Sequence, residues 1–166
     1  ADRPHLIVRP TCGTDDSLPA PAAVAAHVLL RLGSLTARTR YTEVARGVLG
    51  QLARVAADHP HALMAVLNAL DDLESPAEEV VVAGPARAAG TDALLAAARS
   101  VWNPGRMLVQ WEPGSAEGQQ VAEVIPWVRD QEMLGANAAA HVCRDRVCLR
   151  PVTSAAELRQ VLRASR

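Results

Sequence analysis

Two of the three cysteines sit close together near the end of the chain, in His141-Val142-Cys143-Arg144-Asp145-Arg146-Val147-Cys148-Leu149-Arg150-Pro151-Val152-Thr153. The run reads as two short strands around a two-residue turn at Asp145-Arg146. In such a hairpin Arg144 faces Val147 as a hydrogen-bonded pair. Cys143 then faces Cys148 as the next, non-hydrogen-bonded pair, with Cα atoms about 4.5 Å apart. That separation lies in the range of about 4.4–6.8 Å that a disulfide spans. Cys143 and Cys148 are therefore a candidate disulfide or redox pair. The competing reading is two inert packed thiols, because thiols in a reducing compartment stay reduced. His141 adds a third zinc-type ligand on the same strand face as Cys143, but a fourth is not evident and no metal site is expected. Nor is the spacing the Cys-x-x-Cys that sets one thiolate at a helix start.

A second candidate is the loop Gly84-Pro85-Ala86-Arg87-Ala88-Ala89-Gly90-Thr91, between a predicted strand and a predicted helix. Helix N-terminal N–H groups with Gly84, Arg87, Gly90 and Thr91 form a candidate anion site. The Lys-Ser/Thr of a P-loop and the Gly-x-Gly-x-x-Gly of a dinucleotide fold are both missing, and a plain turn with Thr91 as helix cap is the simpler reading. Asp71-Asp72-x-Glu74 and Glu78-Glu79 suggest paired carboxylates, but their place at a helix end and a strand start predicts a solvated edge. His59-Pro60-His61 reads as a loop between helices. No Ser-x-x-Lys, Gly-x-Ser-x-Gly or His-Glu-x-x-His occurs, so no catalytic residue is assigned.

The elements that must position these residues follow from composition and periodicity. With 166 residues, 49% of them hydrophobic, the chain fills one domain or two small lobes. There is no Phe, and three Trp and one Tyr leave Ala, Val and Leu to build the interior. All 17 basic residues are Arg, as a GC-rich bacterial genome would encode. A net charge of -1 gives no pull toward nucleic acid or anionic membranes. The longest apolar stretch, residues 20–32, is interrupted by Pro21, His27 and Arg31 and falls short of the ~20 residues a membrane span needs. With no signal-peptide pattern and three cysteines, the expected location is the cytoplasm.

Leu6-Ile7-Val8-Arg9 is a strand-like scrap before a polar loop, Pro10 to Ser17. Helical periodicity then begins near Pro19 and Pro21, with Val24, His27, Val28, Leu30, Arg31 and Leu35 on one face. A second helix, Thr39 to Ala57, carries Tyr41, Val44, Val48, Leu52 and Val55 along one stripe. His59-Pro60 breaks it, and a third helix runs from His61 to Leu73. Short breaks between consecutive helices predict antiparallel packing. The β-branched run Glu79 to Gly84, a helix from Thr91 to Val101 and a strand Met107 to Trp111 form a βαβ unit, which favours a parallel pair. Residues 119–133 are helical with an early break at Pro126, and a last helix follows the cysteine hairpin from Ser154 to Leu162. The fold class is thus mixed α and β: a helical lobe over residues 1–75, then a small α/β lobe over 76–166 ending in a β-hairpin plus helix.

Val-Cys-x4-Cys-x2-Pro-Val-Thr followed by Glu157-Leu158-x-x-Val161-Leu162 resembles the C-terminal end of the thioredoxin-domain-containing YyaL-like family, which includes the spermatogenesis-associated protein of animals. Leu6-Ile7-Val8-Arg9 with Asp15-Asp16 is similar to that family's strand and acidic loop. Val80 to Gly84 with Thr91 to Leu95 is similar to its strand-loop-helix, and Val101-Trp102-Asn103-Pro104 to its tyrosine-x-proline helix end. The resemblance implies a thioredoxin-like N-terminal domain and an (α/α)6 barrel, related to sugar epimerases and six-hairpin glycosidases, of which this chain matches the closing helices plus an α/β appendage. It implies no cofactor. Where family members read Pro-Ser-x-Asn-Ser before the first helix, this chain has Leu18-Pro19-Ala20-Pro21-Ala22-Ala23, which removes polar residues from a carbohydrate cleft. The function so implied is a non-catalytic structural or interaction segment, with the remaining regions of the same protein or a second copy as partner. The alternatives are one wall of a carbohydrate- or thiol-active enzyme whose catalytic residues lie elsewhere, and an anion-binding module through the Gly84–Thr91 loop.

Overall fold

Alanine is both the strongest helix former and the smallest side chain with a Cβ, so alanine-rich helices approach closely. The chain's first three helices use that property. A computed structural model describes residues 13–75, 77–144 and 147–164. The Leu6–Arg9 strand and the Asp145-Arg146 turn lie outside the described residues, as does the start of the polar loop. Helices α1 (Pro21–Thr36), α2 (Thr39–Asp58) and α3 (Met64–Glu74) come first. The chain divides into two compact units, one of residues 1–30 and 40–74, the other of residues 31–39 and 75–166.

In the first unit the core is Ala20, Ala23, Ala26, Ala45, Leu49, Ala56, Leu63, Val66 and Ala69. This corrects the faces expected for two helices. On α2 the buried residues are Ala45, Leu49 and Ala56, whereas Val44 and Val55 are exposed and Tyr41, Val48 and Leu52 are half-buried. On α1, Ala23 and Ala26 are buried and Val24 and Val28 are exposed. The physical reason is that the small residues, not the branched ones, permit the closest helix contacts, and the valines fall to the rim. The third helix also begins later than expected, because Pro60–Ala62 forms a 3-10 turn ahead of it.

The second unit is a four-stranded mixed sheet. Its strands are β1 (Glu78–Ala83), β2 (Met107–Trp111), β3 (Ala139–Arg144) and β4 (Val147–Cys148), in spatial order β2-β1-β3-β4. β2 lies parallel to β1, as a helical crossover through α4 (Ala89–Ser100) requires. β3 runs antiparallel to β1, and β4 antiparallel to β3. Central β1 is buried on both faces, which is why it reads as an unbroken apolar run rather than an alternation. One face packs Val80, Val82, Ala140 and Val142 on α4 and on α6 (Ala155–Arg163). The other packs Val81, Ala83 and Trp111 on α5 (Ala116–Val124) and on the 3-10 turn Pro126–Asp130. The helix expected over 119–133 is thus two elements. Ser115 caps α5 by accepting from the Gly118 N–H at 2.8 Å, and Pro126 starts the tighter turn. No helix among the described residues is long and apolar enough to cross a membrane.

Candidate functional site

Strand alternation decides which side chains meet near the cysteines. Glu79 is paired with Cys143 across β1 and β3, and Cys143 with Cys148 across β3 and β4. The three side chains therefore share one sheet face, the one that carries α5 and the 3-10 turn. The Cys143 and Cys148 Cα atoms are 3.9 Å apart, and their sulfurs are joined at 1.98 Å. Cys143 is 1% exposed, whereas Cys148, on the two-residue edge strand, is open to solvent.

The side chains around this pair are fixed by hydrogen bonds. The Gln131 amide Nε2–H points at Cys148 Sγ from 3.8 Å. Gln131 is itself held by its backbone oxygen, which accepts from Trp111 Nε1 at 2.8 Å. Trp127 Nε1 donates to the Leu35 carbonyl at 2.9 Å, and Ser34 Oγ donates to Glu79 Oε1. Glu79, Trp127, Asp130, Gln131, Cys143 and Cys148 line one cavity of about 250 Å³. His141 lies in register with Val81, and its Nε2 is 2.8 Å from the Glu132 carbonyl oxygen. A carbonyl only accepts, so that nitrogen carries the proton and is turned away from metal ligation. No metal-binding cluster of His, Cys, Asp and Glu occurs among the described residues.

The Gly84–Thr91 loop is built differently. Gly84 and Thr91 are buried, whereas Arg87 and Gly90 are exposed, so the four residues are not brought to one surface. A Cβ at Gly84 would stand 2.5 Å from Thr91 Oγ1 and 2.7 Å from Ala138 Cβ, which leaves room for glycine alone. Thr91 does not cap α4. The cap position is Ala88, with no side-chain bond, and Thr91 sits inside the first turn with its hydroxyl sealed in and, among the described residues, without a hydrogen-bond partner. Arg87 holds a left-handed backbone at φ 61°. A carboxylate already meets the loop, since the Ala86 N–H donates to Glu112 Oε2 at 2.9 Å.

The expectation of a solvated acidic edge fails at Glu78 and Glu79, which are 5% and 2% exposed. Successive strand residues face opposite ways, so each needs its own partners. Glu78 Oε1 accepts from Arg106 Nε at 2.6 Å and from Asn103 Nδ2 at 3.0 Å, and Arg144 lies 3.3 Å from Oε2. Arg106 Nη1 also donates to the Ala98 and Val101 carbonyls, which satisfies the C-terminal end of α4. In the helical unit, Asp71 and Glu74 are exposed, and Asp72 pairs with His27. Asp15 was not singled out by spacing, yet its carboxylate accepts from the Ala20 N–H at 2.7 Å and the Ala65 N–H at 2.8 Å. Those donors, Ala20 first, hold its carboxyl below the usual aspartate range. No local pattern signals this bond, because Ala65 is fifty residues away.

Comparison with known proteins finds relatives of one name. The chain is 28% identical over 150 residues to Spermatogenesis-associated protein 20 of Homo sapiens, covering 89% of this chain and 19% of that protein. It is 26% identical to the Rattus norvegicus protein and 25% identical to the Mus musculus protein over the same length. The chain thus spans about a fifth of the length of these relatives. No family model matches it, and no solved structure does.

Proposed function

We propose that this chain is a non-catalytic structural and interaction segment of a longer protein akin to spermatogenesis-associated protein 20, of the thioredoxin-domain-containing, YyaL-like kind. In this reading the helical unit is the closing part of an (α/α)6 barrel, and the α/β unit is an appendage to it. One observation carries the reading. Val24, Val28 and Leu32 recur every four residues along a single line of α1, and all three are exposed. Such a stripe on a soluble helix marks a surface that something covers. The occupant we assign is the remainder of the same polypeptide, because relatives of this chain continue for roughly five times its length.

The candidate polar residues agree with a scaffold role. Glu78 is spent on Arg106 and Arg144, Asp15 on two backbone N–H groups, and Glu112 on the Ala86 N–H of the Gly84–Thr91 loop. The test is to produce the chain alone and together with the rest of its polypeptide as a separate piece. The two pieces are expected to co-purify, and the chain alone to self-associate through the uncovered stripe. Val24→Ser with Val28→Ser weakens either association by about tenfold per valine, from the burial energy of one such side chain. A strictly monomeric chain on light scattering that also fails to bind the remainder overturns the reading.

A further inference from the structure

β2 ends the sheet, so one of its two edges is open. Which backbone groups face that edge follows from a single bond. The Trp111 carbonyl accepts from the Gly84 N–H at 2.9 Å, so Trp111 turns its backbone toward β1, and Val109, two residues earlier, does the same. Leu108 and Gln110 alternate with them and turn their N–H and C=O groups outward. No other backbone segment among the described residues bonds to those groups. A groove of about 460 Å³ runs along them. Val109, Val121 and Ile125 give it an apolar wall on the sheet face that carries α5, and Leu35 lines it too. Its charge lies at one end. Arg31 lines the groove and donates to the Pro104 carbonyl, just before β2 begins. That carbonyl is neutral, and Arg31 makes no ion pair among the described residues. The neighbouring Arg106 is already neutralised by Glu78, and no Asp or Glu among the described residues lines the groove.

We propose that this groove binds the free C-terminal end of a partner polypeptide, added to the edge of β2 as an antiparallel strand. Direction decides the chemistry. A strand antiparallel to β2 brings its C-terminus to the start of β2, where its carboxylate meets Arg31. A parallel strand would bring an N-terminal cation there instead, and like charges repel. In the antiparallel register the partner's second-last residue stands opposite Leu108 and its fourth-last opposite Gln110, and both exchange backbone hydrogen bonds with β2. The third-last residue stands opposite Val109. Its side chain and that of the last residue fall on the face of Val121 and Ile125, so both are apolar in a matching partner. Every residue lining the groove belongs to the second compact unit, so the site does not depend on what covers the valines of α1.

The probe is a fluorescein-labelled Gly-Ser-Thr-Val-Thr-Val peptide with a free carboxylate, titrated with the whole chain and followed by anisotropy. Saturable binding is expected, weakened about tenfold by a C-terminal amide on the peptide or by Arg31→Gln, and restored in part by Arg31→Lys. Backbone N-methylation separates strand addition from adhesion to an apolar wall, and it leaves the protein unaltered. A methyl on the second-last nitrogen removes the bond to Leu108 and drives binding below detection. A methyl on the third-last nitrogen, which points away from β2, changes affinity by less than about threefold. No saturable binding, equal affinity of acid and amide, equal effects of the two methyl groups, or no loss with Arg31→Gln each overturn the proposal. So does light scattering that shows a dimer dissociated by the peptide, since a second copy would then hold the edge.

Discussion

Glu78 and Glu79 are neighbours in the chain that point to opposite faces of one strand, and each is buried. A buried carboxylate is tolerated when paired and hydrogen-bonded, and removing one partner leaves the other stranded. Arg106→Met therefore destabilises the chain by about 3–5 kcal/mol in urea denaturation, because Glu78 loses its shortest contact and α4 loses two carbonyl partners. The double variant Glu78→Leu/Arg106→Met costs less than the sum of the two singles, since no unpaired charge is left behind. Asp15 makes a pH prediction. Its carboxyl titrates lower in the folded chain than in the unfolded one, so the unfolded state binds the proton first as pH falls. The stability it supplies is full above the ordinary aspartate range and is lost as pH drops from about 4 through the folded value. Asp15→Asn removes that part of the acid dependence: the variant is the less stable of the two above pH ~4 and the gap closes as pH falls through the folded value, and urea denaturation at a series of pH values that shows no gap at neutral pH would mean that the bond does not matter. Residues such as Glu78 were misplaced from sequence because their partners, Arg106 and Arg144, lie far along the chain. The cysteine register, by contrast, was legible, since a two-residue turn counts it out locally.

Elements were read better by order than by face. The succession of three helices, a βαβ unit, a hairpin and a closing helix follows from periodicity and breakers, and the parallel pairing of β1 with β2 follows from the crossover length. What periodicity mistook was the buried stripe on α1 and α2. Val24, Val28, Val44 and Val55 of the expected stripes are exposed, and the core of the helical unit is built around alanine contacts instead. The corrected face is testable. Leu49→Ala should cost about 2–5 kcal/mol by chemical denaturation, and Val44→Ser under about 0.5 kcal/mol. Equal costs would restore the valine face. Likewise Gly84→Ala drives a methyl into Thr91 and Ala138, and the expected loss is about 1–3 kcal/mol. The sequence marked Gly84 as part of a possible anion loop, when its need for glycine comes from that close approach.

At the scale of the molecule, two cores of different kinds lie in one chain: an alanine-packed helical core and a sheet core lined by valine and leucine on one side and tryptophan on the other. The helical core is the poorer in apolar volume, because alanine gains little from burial, while Val24, Val28, Val44 and Val55 remain on its surface. A fold that exposes branched residues and buries small ones has more to gain from a partner than from internal packing. If a partner binds only the folded form, stability rises with partner concentration by mass action. If, as proposed, a second copy covers the stripe of the chain alone, its melting temperature should rise with protein concentration. On the proposed reading, joining the chain to the remaining regions of a longer polypeptide covers the stripe, and the melting temperature should then be higher and independent of concentration. Val24→Ser/Val28→Ser should flatten the concentration dependence of the isolated chain while changing its dilute-limit stability little, because both side chains are already exposed. Scanning calorimetry over a hundredfold range of protein concentration separates these cases, and a melting temperature that does not move in the unaltered chain would mean that the stripe on α1 needs no cover.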